Sequence, residues 1–377
     1  MNRLSLAGVS RATGSAVLES LDDAVAGAIG VPVAVKRAWP ANDGELTFEA
    51  TERNTGRIRA GRVHADGTVQ AGAYCEDPKL ETLAEAARAG DLLVHRYGRR
   101  AVIRSTDPEA PQSFIKVLRT GKSAAAARAH KDASALAAGS GVVVPQVLAE
   151  GAGSITLSTV PGRGLHLLGR EVGAASQGPD DDGGAAARWM QAWRFFRRHW
   201  PRFARPVAGA IPSYSADDEC RTVEKWAAHA RGFGTLAVGE RQLGDAADRV
   251  QQALLAGEAQ KPVLAHRDLH DQQILFDPKQ RSLGLIDCDT LAPAEPALDL
   301  ANLAVHLEFR CYQGLLHPAA AAAAKAEVRR TADQLGVEPE RTQAYSMATA
   351  LRLACVYSFR PPYRRLAEDW FRGRFPS

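Results

Sequence analysis

His266-Arg267-Asp268 is followed, at the fifth position after Asp268, by the amide Gln273, from which the apolar run Ile274-Leu275-Phe276 continues. A second apolar run, Leu283 to Ile286, stops at Asp287. Short β-prone runs of this kind read as strands. The spacing therefore predicts a loop anchored by one strand, and a second strand that delivers a carboxylate to the same cleft. Far upstream, Ser113 to Leu118 reads as another strand with a single lysine, Lys116, inside it. Few folds bring a strand lysine, a carboxylate loop and a strand-end carboxylate together from such distant segments.

The remaining composition is that of an ordinary globular chain. Its 377 residues suffice for two or three packed units. Apolar residues make up 45% and charged residues 24%, and no apolar run approaches the roughly 20 residues of a membrane helix. The net charge is only +4, with Lys and Arg dispersed among acids, so neither nucleic acid nor membrane is expected as a partner. Met1 to Ser10 lacks a signal-like apolar segment, and the expected location is cytoplasmic. Cys75, Cys220, Cys288, Cys311 and Cys355 are odd in number and never in a Cys-x-x-Cys pair, which predicts reduced thiols that mostly pack.

Along the chain, Val17, Leu18, Leu21, Val25 and Ile29 recur at helical steps within Ser15 to Ile29. Segments around Val31 to Ala38, Leu46 to Thr51 and Ile58 to Val63 follow, separated by Asn42-Asp43-Gly44 and Asn54-Thr55-Gly56. Residues 1–76 thus read as a small α+β cap. A helical stretch from Asp77-Pro78 to Gly90 precedes a hairpin, Leu92 to Val94 and Ala101 to Ile103, turning at Tyr97-Gly98-Arg99; Asp107 to Pro111 makes the next turn. Ala124 to Ala138 is helical in propensity. Val142 to Val147 and Ile155 to Val160 read as further strands, and Pro161-Gly162-Arg163-Gly164 as the hinge. Residues 77–160 form the expected β-rich lobe. Residues 161–377 form a mainly helical lobe with the loop and acceptor site, interrupted by a flexible acidic loop from Gly173 to Gly184.

Phosphoryl transfer requires a carboxylate that orients the acceptor hydroxyl, oxygen ligands for magnesium, and a lysine on the nucleotide phosphates. Asp268, Asp287 and Lys116 stand in that order, with Asp132 on the following helix as the nearest acid able to position the lysine. His266-x-Asp268-Leu269-His270, Leu285-Ile286-Asp287, Asp299-Leu300-Ala301 and Val144-Pro145-Gln146-Val147-Leu148 together resemble the aminoglycoside phosphotransferase family of the protein-kinase-like superfamily, over roughly residues 90–310. Gln273 replaces that family's usual Asn and is similar to the bacterial maltokinases, which also carry an N-terminal cap.

The resemblance implies an α+β, two-lobed, protein-kinase-like fold and an ATP- and magnesium-dependent kinase for a small-molecule hydroxyl acceptor, with a sugar or amino sugar expected ahead of an antibiotic. It implies Asp268 as the catalytic base, Gln273 and Asp287 as magnesium ligands, Lys116 as the phosphate anchor, and His266 and Asp299 as loop supports. Asp289 stands where many relatives have Gly, and reads either as a second metal contact or as a turn acceptor before Thr290. The phosphate-covering turn has one glycine, Gly98. Asp132 reads equally as a solvated residue. His270 reads as packing beneath the loop, and Trp189, Trp193, Phe195, Phe196 and Trp200 as core rather than a sugar platform. An excess of arginines after Ala301, among them Arg352 and Arg360, points to a neutral or anionic acceptor. An inactive nucleotide-binding relative is the rival reading, motivated by Gln273, Asp132 and the sparse turn.

Overall fold

The computed structural model describes residues 18, 20–107, 112–175, 184–207 and 211–376. The start of the first helix at Ser15, most of the Asp107 to Pro111 turn and residues 176–183 of the expected Gly173 to Gly184 loop lie outside them; the ends of that expected loop, Gly173 to Ala175 and Gly184, are helical instead. The cap consists of helix α1, Leu21–Ile29, and four strands in the order β1-β2-β3-β4: Val33–Pro40, Leu46–Glu52, Ile58–Val63 and Val69–Ala71. The helix ends at Gly30, whose φ of 82° suits a left-handed cap. Its Leu21 and Val25 are buried with Val33, Val35, Phe48 and Val63, so the helical periodicity covers one face of the antiparallel sheet.

A five-stranded sheet follows, ordered β5-β6-β7-β10-β9, with strands Gly90–Arg96, Arg100–Ser105, Ser113–Leu118, Ser154–Ser158 and Val147–Glu150. Lys116 lies on the central strand, opposite Val102 on one neighbour and Ile155 on the other. The expected helix after Asp77 shrinks to α2, Leu83–Ala86, with a 3-10 turn at Ala87–Ala89. The Asp77 side chain explains this: it accepts from the backbone N–H of Lys79 at 2.9 Å and of Gly98 at 2.6 Å, which bends the chain toward the hairpin. Helix α3, Ser123–Ala137, connects β7 to β9.

In the helical lobe, the sheet β11-β13-β14-β8 joins Arg163–Gly164, Ile274–Asp277, Ser282–Leu285 and Val142–Val143, while β12, Val263–Ala265, leads into the His266 loop outside that sheet. Val142–Val143 pairs parallel with β14 rather than with the strands that follow it in sequence. Gly284 allows the inter-lobe segment to approach this sheet, since a Cβ there would lie 2.2 Å from Val160 Cγ1. The lobe's helices are α4, Leu165–Ala175, α5, Gly184–Phe203, α6, Ala216–Phe233, α7, Glu240–Leu255, α8, Pro296–Tyr312, α9, Pro318–Gln334, α10, Pro339–Ser358 and α11, Arg364–Arg374, of which α4 and α5 lie against the sheet. Trp189, Trp193, Phe196 and Trp200 on α5 are buried in the main core, and Phe195 packs at its edge. The aromatic stripe is core, as its spacing predicts.

The cap touches both lobes. Glu49, only 2% exposed, accepts from the backbone N–H of His95 at 2.7 Å, and the His95 ring lies 3.0 Å from Asp77. On the other side, the N–H of Ala38 donates to the carbonyl of Phe359 at 2.8 Å, and Phe359 is buried among cap residues. The cap thereby links the glycine hairpin to the turn after α10. All five cysteines are free thiols, four of them buried. Among the described residues no helix is long and apolar enough to cross a membrane.

Candidate active site

The loop from His266 to Gln273 is fixed almost residue by residue. Asp299, at the N-terminus of α8, accepts from the backbone N–H of His266 at 2.5 Å and of Arg267 at 2.8 Å. Burial pushes its carboxyl above the usual range, although His266 and these two N–H groups favour the anion. The His266 ring donates from Nε2 to the carbonyl of Ile286 at 2.9 Å, joining the loop to the strand end before Asp287. Thr290 Oγ1 donates to the His266 carbonyl and Asn302 Nδ2 to that of Leu269, at 3.0 and 2.8 Å. Arg267 adopts φ 71° and lays its guanidinium 4.0 Å from the Tyr214 ring centroid.

This frame leaves the Asp268 carboxylate half exposed while its neighbours are held. Gln273 Nε2 lies 3.4 Å from Asp268 Oδ2, and the Gln273 Oε1 is buried without a partner. Asp287 has left-handed backbone, φ 57°, at the start of the short turn Cys288–Thr290, and is exposed.

Lys116 is 5% exposed, and its Nζ donates to Asp289 Oδ2 at 2.8 Å. Burial alone would raise the Asp289 carboxyl; the charge and hydrogen bond of Lys116, with Arg100 beyond it, hold it below the usual range. Asp289 is therefore the partner of the lysine, and Asp132 is not. Asp132 lies exposed on the outer face of α3, whose inner face carries Ala127, His130, Ala133 and Ala137. His130 is the residue this helix turns toward the lysine. It is buried, neither ring nitrogen has a partner, and burial followed by the charge of Lys116 holds it below its ordinary pKa.

Gly98 sits at the hairpin turn with φ 63°, as the turn requires. Its N–H is occupied by Asp77 and its carbonyl accepts from Arg119 Nε at 2.6 Å, so its own backbone has no donor left for a phosphate. Arginines are what the turn offers instead. Arg96 is drawn down to about 10 by burial and by the charges of Arg99, Arg100 and Arg37.

On the far side of Asp268, Arg352 Nη1 stands 3.8 Å from Asp268 Oδ1, while its Nη2 donates to Asn302 Oδ1 at 2.5 Å. His270 stacks on His306 with ring centroids 4.8 Å apart, and burial pushes His270 down to about 3. Asp271 and Arg310 form a buried ion pair at 3.2 Å. His130 and His306 carry no local sequence signal. Arg352 and Arg360 were visible only as part of a basic excess.

The model of the phosphotransferase enzyme family matches residues 93–335, from β5 into the end of α9. The chain belongs to this family. Its members' chemistry, phosphoryl transfer to a small molecule, is the chemistry that a half-exposed carboxylate, a nearby buried amide oxygen and a strand lysine can serve. Among solved structures, the chain is similar to aminoglycoside phosphotransferase APH(3'')-Id from Streptomyces rimosus, at 22% identity over 73% of this chain and 96% of that one, TM-score 0.49. It is also similar to a glucosamine kinase, at 15% identity over 96% and 99%, TM-score 0.47, and to a choline kinase from Cryptosporidium parvum, at 10% over 75% and 87%, TM-score 0.47. The first has been solved with ADP and streptomycin, and the second with glucosamine, ADP and inorganic phosphate. No curated protein matches the chain.

Proposed function

We propose that this phosphotransferase moves the γ-phosphate of ATP, bound with magnesium, to a hydroxyl of a sugar or amino sugar. The observation that carries the reading is the buried Oε1 of Gln273, without a hydrogen-bond partner among the described residues, beside the half-exposed carboxylate of Asp268. A buried acceptor atom without a donor is unfavourable unless a ligand fills it, and an amide oxygen suits a hard cation. Gln273 and Asp287 would hold the magnesium, and Asp289 adds a third oxygen donor beside them. Magnesium supplies neutralisation of the charge on the β- and γ-phosphates.

The chain's own residues supply the rest. Asp268 orients the acceptor hydroxyl and receives its proton, on a loop that Asp299 and Asn302 keep from moving. Lys116, central in its sheet, supplies a cation to the phosphates, and Arg100 adds charge from the hairpin. A nucleotide-binding protein without turnover is the second reading, and the occupied N–H of Gly98 is the observation on its side.

Two variants separate the readings. Asp268→Asn is expected to keep nucleotide binding and lose turnover. In a thermal-shift titration, Asp287→Ala is expected to lose the magnesium-dependent part of the nucleotide response. ATP binding by the wild type with no γ-phosphate loss across a broad hydroxyl library would favour the inactive reading.

A further inference from the structure

Beyond Asp268 the carboxylates of Asp271 and Glu219 each face an arginine, although Glu219 Oε1 makes no hydrogen bond among the described residues. Asp271 is committed to Arg310. Glu219 accepts from Tyr214 Oη at 2.8 Å and faces Arg352 Nε at 3.8 Å. Arg360 is different: its guanidinium lies over the Tyr357 ring, 3.8 Å from the centroid, and among the described residues no carboxylate pairs with it. Burial, with the charges of Arg37 and Arg310, disfavours its cation, while Tyr357 supports it. The backbone beside it is anchored, because the neighbouring Phe359 carbonyl accepts from Ala38 of the cap.

His306 completes the arrangement. It is 6% exposed, and neither ring nitrogen has a partner. It stacks on His270, and Phe309, one turn further along α8, meets the Tyr357 ring that carries Arg360, with centroids 4.5 Å apart; burial, with the charges of His270, Arg310, Arg352 and Arg360, holds the His306 ring well below its ordinary pKa. The N–H of Gln272 donates to His270 Nδ1 at 3.2 Å, which leaves the proton of the neutral ring on Nε2. A half-buried cation without a counter-ion, beside a buried ring with unmet hydrogen bonds, is stabilised most by an anionic ligand that accepts from both.

We propose that the acceptor carries an oxyanionic group, a carboxylate or a phosphate monoester, and that Arg360 with His306 and His270 receives it while the acceptor hydroxyl meets Asp268. The proposal rests on the phosphotransferase reading and narrows its acceptor to an acidic sugar or similar hydroxy acid. In the transfer, a bond forms between the acceptor oxygen and the γ-phosphorus as the β,γ-bridging P–O bond breaks. The hydroxyl proton passes to Asp268, and ADP leaves with the electron pair of the broken bond.

The test is a matched acceptor panel assayed with magnesium and ATP for ADP formation and product mass: neutral sugars, their amino sugars, their uronic or aldonic acids, and their phosphate monoesters. An acid-bearing member is expected to exceed its neutral counterpart in kcat/KM by at least about tenfold, the worth of one charge-assisted hydrogen bond. Whether the acids or the phosphates lead identifies the source of the oxyanion. In Arg360→Ala the excess is lost through KM for the acceptor, with KM for ATP unmoved, and Arg360→Lys retains part of it. Neutral or amino sugars that match or outrun the acids overturn the proposal, as does an excess that survives Arg360→Ala in the folded protein. If an ATP-binding protein turns over no acceptor at all, the phosphotransferase reading fails and the subsite fails with it.

Discussion

The two walls of the candidate site are built in opposite ways. The loop wall is held by backbone: Asp299 secures two consecutive N–H groups, Thr290 and Asn302 secure two carbonyls, and His266 ties the loop to the strand before Asp287. On the lysine wall the strand is paired on both sides, but among the described residues the lysine side chain itself is held by one ion pair, to Asp289, with His130 behind it. A network of satisfied backbone bonds fixes geometry before substrate arrives, whereas one ion pair can be exchanged for a phosphate at little expense. On the proposed reading, the loop does the catalytic positioning and the lysine makes the adjustable contact.

The largest expected effect is on the loop's reacting group. Asp268→Asn should lower kcat by roughly 10²–10⁴-fold with nucleotide affinity unchanged by calorimetry. Removing the support beneath it comes next: Asp299→Ala strands two buried N–H groups, and urea unfolding should register a loss of about 2–5 kcal/mol together with activity. On the opposite wall, Lys116→Met should weaken ATP binding by roughly 10–100-fold, the worth of a charged hydrogen bond, while unfolding changes less than in Asp299→Ala. If Lys116→Met unfolds the protein as readily as Asp299→Ala, the contrast between the walls is wrong.

Acid should act on the acceptor side. His270 falls from its ordinary 6.5 to about 3 in the folded protein, so between those values the unfolded chain binds the additional proton. Stability is therefore expected to fall as pH drops below about 6.5, with His270 contributing a slope of up to about 1.4 kcal/mol per pH unit. A His270→Asn variant should flatten that slope in pH-dependent unfolding. The smallest effect is expected at Asp132. Asp132→Ala should change stability by less than about 0.5 kcal/mol and leave kinetics unmoved, as for an exposed residue outside the site.

These cases also explain what could be read from the chain. Strand Ser113–Leu118 was legible to the residue, because a short β-prone run bounded by turns has one reading. The loop was legible because its spacing is local. Helix Ser123–Ala137 was legible as a helix, but alanine at nearly every other position gives its two faces the same hydrophobicity, so nothing local chose between Asp132 and His130. The pairing of His270 with His306, the move of Val142–Val143 into the far sheet, and the Glu49 contact to His95 all depend on contacts distant in sequence. Gly98 was legible as a turn, whereas the occupation of its N–H by Asp77 was not. The cap's role as a link between the hairpin and the α10 turn is of the same kind.

The central claim is that Asp268, on its immobilised loop, directs the γ-phosphate to a hydroxyl of a small acceptor. Incubation with γ-labelled ATP, magnesium and the acceptor panel, followed by mass spectrometry of the acceptors, tests it most directly. The account predicts label on an acceptor hydroxyl with the wild type and almost none with folded, ATP-binding Asp268→Asn. Equal labelling by the two proteins, or label released from the wild type only as inorganic phosphate, would contradict it.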